Sequence, residues 1–588
     1  MKKRRRVHGW LLLSPIALVL ASASGAPNSA KSLPKAPVAA STEAVADLLL
    51  LHGRIHTQDA DRSVAQALAV RGKLIVAVGS DREMSALATP HTRIIDLKGR
   101  IVLPGMIDAH THPAESAQDL GKCDLHDQLL TASLIMSEVA HCLALEPPDH
   151  PPWLEVVGVN VSKLVLSRQQ LDRMLPHRPL LLDDASGHTL FANSAALAAA
   201  HVDAHTKDPA GGRIERDLNG IPTGTLRDAA IDIVLNVMPA RSTSFQTSQL
   251  SAALSAMSAT GITSVQDANA DEHDMQLYKR LYDEHRLAMR VRATFGLRNT
   301  DRPADVLINE AIQFRKRWMI DEDYLRADAI KIFADGDIEY PSQTASLLEP
   351  YLEQSGRPTN NRGPTYYAQS HLDEVVAAAD AAGFTVHVHA IGDRATRSAL
   401  DAFAYAREHN GIRDNRDQIA HLELVDPHDF PRFKQLGVIA NLQLLWAERD
   451  SYIDEATLPY IGPERARYLY PARSLLDAGA LIAGGSDWSV SSFNPFIAME
   501  HAITRRVSRS EAPLLPEQSI PLQAAVDAYT INAAFALKQE ATTGSLERGK
   551  RADFVVLDRD IFSLNPFDLH ATRVLSTYLD GRQVYTAE

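Results

Sequence analysis

The sequence is poor in cysteine, with two in 588 residues, Cys123 and Cys142. That count excludes a disulfide-dense scaffold, and their spacing fits no zinc-knuckle pattern. The two are ordinary thiols or, in an exported chain, a disulfide. Positive charge is also in short supply: 60 basic residues face 73 acidic ones, for a net charge of −13. So acidic a chain is a poor partner for nucleic acid or an anionic membrane. Glycine and proline, 30 and 31 copies, are scattered, and no collagen-like or low-complexity block dominates. Repeats and aromatic strips are missing too, which argues against a structural or adhesion protein. The longest apolar run near the start, residues 10–21, is too short for a comfortable membrane span.

That run has a recognisable context. Lys2, Lys3, Arg4, Arg5 and Arg6 precede it and small residues follow up to Ala26. Basic start, short apolar core and small-residue zone read as a secretory signal peptide over 1–26, with a linker over 27–43. The expectation is an exported protein, periplasmic or secreted, with no stable membrane anchor. Removing the leader takes five basic residues and no acidic one, so the mature chain is more acidic still.

Two grammars follow. Residues 44–104 read as short strands broken by glycine turns, at His52-Gly53, Arg71-Gly72 and Lys98-Gly99. The same grammar returns over 539–588, with a strand at 552–557 and a hairpin around Asp580-Gly581. A small β-sandwich domain built from both termini accounts for this. Between them, over 105–538, amphipathic helices end at Gly261, Gly383, Gly437 and Gly479, and short apolar strands begin at once. Unalternating apolar strands fit a parallel sheet buried on both faces. The fold class is therefore α/β.

The polar residues favour a (β/α)₈ TIM barrel over an open sheet. They fall at the ends of successive strands: His110-Thr111-His112, Lys331 and Asp335, His387 and His389, His421 and Ser486-Asp487. In a closed barrel those ends meet at one mouth. Imidazole and carboxylate suit a divalent metal of the zinc type. His110 and His112 lie two apart, so both point to one side of a strand. Lys331 is a poor ligand as an ammonium but becomes a bridging carboxylate once carboxylated. Asp487 can hold a water and take its proton as general base. The long segment 113–243 after the first barrel strand reads as a cap-like insertion over the mouth. His188 within it, and Trp488 beside Asp487, are candidates to face substrate. Asp393 and Arg394 read as supporting residues.

These motifs carry a family resemblance. The runs from Leu103 to His112, His389-Ala390-Ile391-Gly392-Asp393, His421-Leu422-Glu423 and Gly485-Ser486-Asp487 resemble the amidohydrolase superfamily. Within it they resemble the family 3 branch that includes N-substituted formamide deformylases. Gly187-His188, Asn193 to Leu197, Pro209 to Gly212 and the closing run Gly544 to Asp553 support the branch. The resemblance implies His110 and His112 as ligands from the first strand, Lys331 from the fourth, His389 from the fifth and His421 from the sixth. It implies Asp487 as acid and ligand from the eighth, one or two divalent ions, zinc first among them, and a small-molecule substrate. His387 competes with His389 on the fifth strand, and His389 holds the motif position. The implied reaction is hydrolysis of an amide or formamide C–N bond. Deamination, cyclic amide opening and peptide or ester cleavage use the same site, and a non-catalytic binding protein on a barrel is the reading from another class. A homo-oligomer is compatible with all of them.

Overall fold

The helices stop where the sequence predicts. Gln369–Ala381 runs out before Gly383 (φ 77°), and Phe430–Leu436 ends on Gly437 (φ 73°). Both glycines sit in the left-handed region, where a Cβ is costly, and the chain turns directly into a strand. The computed structural model describes residues 45–587, apart from 121, 126–127, 129, 146–151, 161–163, 165, 185–186, 188, 210–211, 240 and 298–301. The expected leader, the linker and His188 lie outside the described residues.

Eight parallel strands form one sheet. In chain order they are β1 (Met106–Thr111), β2 (Ile262–Ala270), β3 (Arg290–Gly296), β4 (Leu325–Phe333), β5 (Thr385–Ala390), β6 (Gln418–His421), β7 (Ile439–Leu442) and β8 (Ile482–Gly484). Each pairs with the next from β1 through β8. The two ends then meet: the Asp487 N–H donates to the His110 carbonyl at 2.8 Å, and the His112 N–H to the Trp488 carbonyl at 3.1 Å. This is the (β/α)₈ barrel, with helices such as Thr243–Ala259 and Asp393–Asn410 packing their apolar sides on its outer face.

Both termini share a second region. A four-stranded sheet holds Leu48–Leu51, Ala67–Arg71, Leu74–Gly79 and Arg93–Asp96. A six-stranded sheet joins Arg54–His56, Val64–Ala65 and Ile101–Pro104 to Phe554–Leu557, Val574–Leu579 and Arg582–Thr586. The join is antiparallel, with Val102, Leu103 and Pro104 opposite Val556, Val555 and Phe554. Leu50, Ile55, Leu68, Val102, Phe554 and Tyr578 fill one core. The strand–glycine–strand units read from the sequence are present at all three places, and of these the pair around Gly72 is a hairpin. His52-Gly53 and Lys98-Gly99 instead carry the chain from one sheet to the other, because His52 (φ 54°), Lys98 (φ 50°) and Gly99 (φ 80°) turn the backbone out of the sheet it leaves.

The segment after β1 is more than a loop. Cys123–Asp124, Leu154–Val159, Leu180–Asp184, Thr189–Ala192, Gly212–Arg216 and Pro222–Asp228 form a mixed six-stranded sheet. Cys123 and Cys142 are disulfide-bonded, which ties its edge strand to the helix Ala132–Leu145.

Candidate metal centre

Beneath the barrel mouth lies a polar layer. The Asn441 amide donates to the Ala109 carbonyl and to Gln418 Oε1, both at 2.9 Å. Gln418 Oε1 lies 3.1 Å from His387 Nδ1, and Gln266 Nε2 lies 2.7 Å from the same nitrogen. His387 Nε2 then meets His110 Nδ1 at 2.8 Å. The sequence left His387 as a rival ligand to His389, and the structure puts it behind His110 instead. His387 Nδ1 serves one glutamine at a time. When it donates to Gln418 and Nε2 accepts from His110 Nδ1, the His110 Nε2 keeps a lone pair directed at the mouth, and when it accepts from Gln266 the pattern reverses.

Above that layer the strand ends converge. His110 Nε2 is 3.2 Å from Asp487 Oδ1 and 3.4 Å from Lys331 Nζ. His112 Nε2 is 3.0 Å from the same carboxylate oxygen, and His421 Nδ1 is 3.9 Å from Oδ2. The His389 and His421 rings lie edge to face with centroids 4.4 Å apart, and His110 and His421 at 4.9 Å. One ligating atom each from His110, His112 and Asp487 lies within 4.8 Å of the others. All six sequence candidates for a metal thus stand together. Two are held in strained backbone, His421 at φ 77° and Asp487 at φ 54°.

The electrostatics follow from burial. It drives the His110 imidazole down to about 3 with help from Lys331, and it pushes His389 and His421 well below the usual histidine range. It pushes Lys331, which is 1% exposed, down to about 8. Burial alone would raise Asp487, but His110, His112 and His421 outweigh it and hold the carboxyl well below its ordinary value. The centre therefore presents the neutral imidazoles of His110, His389 and His421 around one carboxylate, while at His112 the pull of Asp487 outweighs burial and raises the imidazole above its ordinary value.

Several buried atoms here have no hydrogen-bond partner among the described residues: Nδ1 of His112, Nε2 of His389 and both ring nitrogens of His421. Leaving such groups unpaired costs about 1–3 kcal/mol each. Imidazole nitrogens with a carboxylate are the donor set of a borderline divalent cation, so the residues present fit one.

Supporting residues surround the cluster. Asp108 Oδ1 accepts from the N–H groups of His110 (3.2 Å) and Ser486 (3.0 Å), joining β1 to the end of β8. Asp335 accepts from Ile391, Gly392 and Ser346, which clamps the loops after β4 and β5 beside His389. Asp393 accepts from the Leu348 N–H and Arg394 donates to Ser346 Oγ, both as supports. Trp488 contributes its carbonyl to the His112 N–H and the Ser116 hydroxyl, while its indole meets Phe493 edge-on at 5.4 Å. Trp446 is a residue that the sequence reading missed. It stacks on His421 at 5.5 Å and 8°, from the turn after β7. Its one sequence signal is its place just past a barrel strand.

Comparison with known proteins agrees with this geometry. Residues 93–585 match the amidohydrolase family. N-substituted formamide deformylase from Arthrobacter pascens is 31% identical over 554 residues, covering 91% of this chain and 97% of that one. A metal-dependent hydrolase of Pyrococcus horikoshii superposes with a TM-score of 0.70 at 21% identity, covering 88% of this chain and 99% of the other. Atrazine chlorohydrolase TrzN from Arthrobacter aurescens, complexed with zinc, does so with a TM-score of 0.51 at 17% identity, covering 91% and 94%.

Proposed function

On the premise that the chain belongs to the amidohydrolase family, we propose that it hydrolyses a non-peptide C–N bond of the amide type in a small molecule. The formamide deformylase relative supports that substrate class. His110, His112, Lys331, His389, His421 and Asp487 would hold one or two divalent ions, and the zinc in the TrzN structure makes zinc the first to try. When bound, such an ion acidifies a water and polarises the scissile carbonyl. Asp487 takes the proton from the attacking water as its oxygen bonds to the carbonyl carbon. Asp487 then returns that proton to the nitrogen as the C–N bond breaks, so an acid and an amine leave. His387 keeps His110 in register throughout. The observation that carries the reading is the convergence of His110, His112 and His421 on Asp487, beside buried nitrogens of His389 and His421 that have no hydrogen-bond partner among the described residues.

Lys331 fits carboxylation. Its amine is buried, makes no ion pair within 4 Å among the described residues, and is held low enough to be partly neutral at neutral pH. A neutral amine adds CO₂ through a new N–C bond and loses a proton, giving a carbamate whose carboxylate would serve as a ligand for the ions. Export is supported by the leader and by the Cys123–Cys142 bond, which suits an oxidising compartment. Trp488 remains our candidate for a substrate-facing side chain, with His188. No helix among the described residues is long and apolar enough to cross a membrane.

The test is elemental mass spectrometry on purified protein and on Lys331→Ala, followed by a panel of amides. Near two metal ions per chain, falling in the variant, supports a bridging Lys331. About one, unchanged, supports a single-ion site. No metal, even after reconstitution, overturns the reading.

A further inference from the structure

Strand β7 lies between β6, which ends at His421, and β8, which leads to Asp487. It gives the metal centre no ligand. The first residue past its end is Gln443. Strand alternation fixes the direction of that side chain. Asn441 points inward, since its amide bonds Gln418 and the β1 backbone across the barrel. Leu442 and Leu444 pack into the outer core. Gln443 therefore follows Asn441 to the inner side, one layer nearer the mouth. Leu442 pairs with Gly484, so Gln443 stands level with Gly485 and Ser486, just before Asp487. Three residues on, Trp446 covers the His421 ring.

Gln443 is 2% exposed, yet neither Oε1 nor Nε2 has a hydrogen-bond partner among the described residues. An amide buried with both ends unpaired is costly unless a ligand completes it. Resting on the hydrolase reading above, we infer that Gln443 is a substrate-recognition residue, which takes a group offering a carbonyl oxygen and an N–H on the same edge. Primary amides, ureas and cyclic amides have that edge. A secondary amide in its usual trans form does not, because its N–H points away from its oxygen. Nε2 would donate to the ligand carbonyl and Oε1 would accept from the ligand N–H, closing a two-bond ring beside Asp487.

The experiment uses metal-loaded protein, calorimetry and two probes, benzamide and N-methylbenzamide. Only benzamide carries an N–H on the side of its oxygen. The one hydrogen bond by which the probes differ predicts that wild type binds benzamide about tenfold more tightly, and that Gln443→Met erases the difference. Methionine has similar length and no amide, so the ligand-free variant should melt at the same or a higher temperature, with unchanged metal content. Equal binding of the two probes by wild type, or no binding of benzamide, overturns the inference. So does a lower melting temperature in Gln443→Met, which would mean the amide is bonded within the protein. A protein that discriminates the probes but hydrolyses no amide overturns the hydrolase reading and leaves the Gln443 assignment standing. Amide turnover without discrimination does the reverse.

Discussion

His387 Nε2 lies 2.8 Å from His110 Nδ1, and the far nitrogen of His387 lies within reach of Gln418 Oε1 and Gln266 Nε2 and bonds one of them at a time. With His387 donating to Gln418, the chain Gln418–His387–His110 leaves the lone pair of His110 on Nε2, at the mouth. Substituting His387 with phenylalanine keeps a ring but removes that control. We expect metal affinity and kcat/KM to fall by about 10–100-fold, the usual cost of losing a partner behind a ligand. Metal titration and kinetics at saturating metal separate the two effects.

Among the described residues, Asp487 is the one carboxylate in contact with three of the site histidines, His110, His112 and His421. Asp487→Asn preserves shape but cannot take a proton. Kinetics at matched metal content should show kcat lower by about 10²–10⁴-fold, the range for a positioned general base. Unchanged kcat would move the proton transfer to another group.

Metal removal should act on stability as well as on rate. Among the described residues, imidazole nitrogens of His112, His389 and His421 have no hydrogen-bond partner. A chelator such as dipicolinate should abolish turnover and lower the melting temperature, and added zinc should restore both. An ion present at 100 times its Kd stabilises the fold by about 2.7 kcal/mol. Scanning calorimetry across a zinc titration checks this.

A buried ion cluster joins β3 to the C-terminal strands. Arg290 donates to Asp553 at 3.0 and 3.2 Å and to Asp580 at 2.5 Å. Burial alone would raise the Asp580 carboxyl, but Arg290, the Tyr324 hydroxyl and Arg551 outweigh it and hold it below its ordinary value. A depressed carboxyl contributes stability that is complete above its unfolded pKa, near about 3.9, and is lost as pH falls through the lower folded value. Wild type should therefore lose more stability between pH 5 and pH 3 than Asp580→Ala does. Removing one partner of such a pair costs about 3–5 kcal/mol at neutral pH, readable by urea denaturation.

The strand-end residues were legible because barrel grammar and metal chemistry coincide in the sequence. A polar residue that interrupts an apolar strand at its end, as at His110, Lys331, His389 and His421, is costly to bury unless something pairs with it there. Gly383 and Gly437 marked helix ends by the same local logic. His387 was visible as a residue but not as a role, because alternation placed it two before His389 and could not say that His110 would meet it from across the barrel. Trp446 and Gln443 were not legible. Their meaning depends on which neighbours bond them, and Gln443 stands out only because nothing among the described residues does. The inserted segment showed its length and not its sheet, since Leu180–Asp184 was the one strand there with a clear apolar run.

The seam between Ile101–Pro104 and Phe554–Leu557 has a consequence in time. A ribosome releases residues at about 5–20 per second, N-terminal end first. Val102 and Leu103 emerge early, and their partners Val556 and Val555 only near the end of synthesis. Until then Ile101–Pro104, which leads straight into the strand bearing His110 and Asp108, lacks one of its two neighbours. Translation thus delivers the anchor of the first ligand strand last, and a growing chain stays unlocked for as long as its tail is still being made.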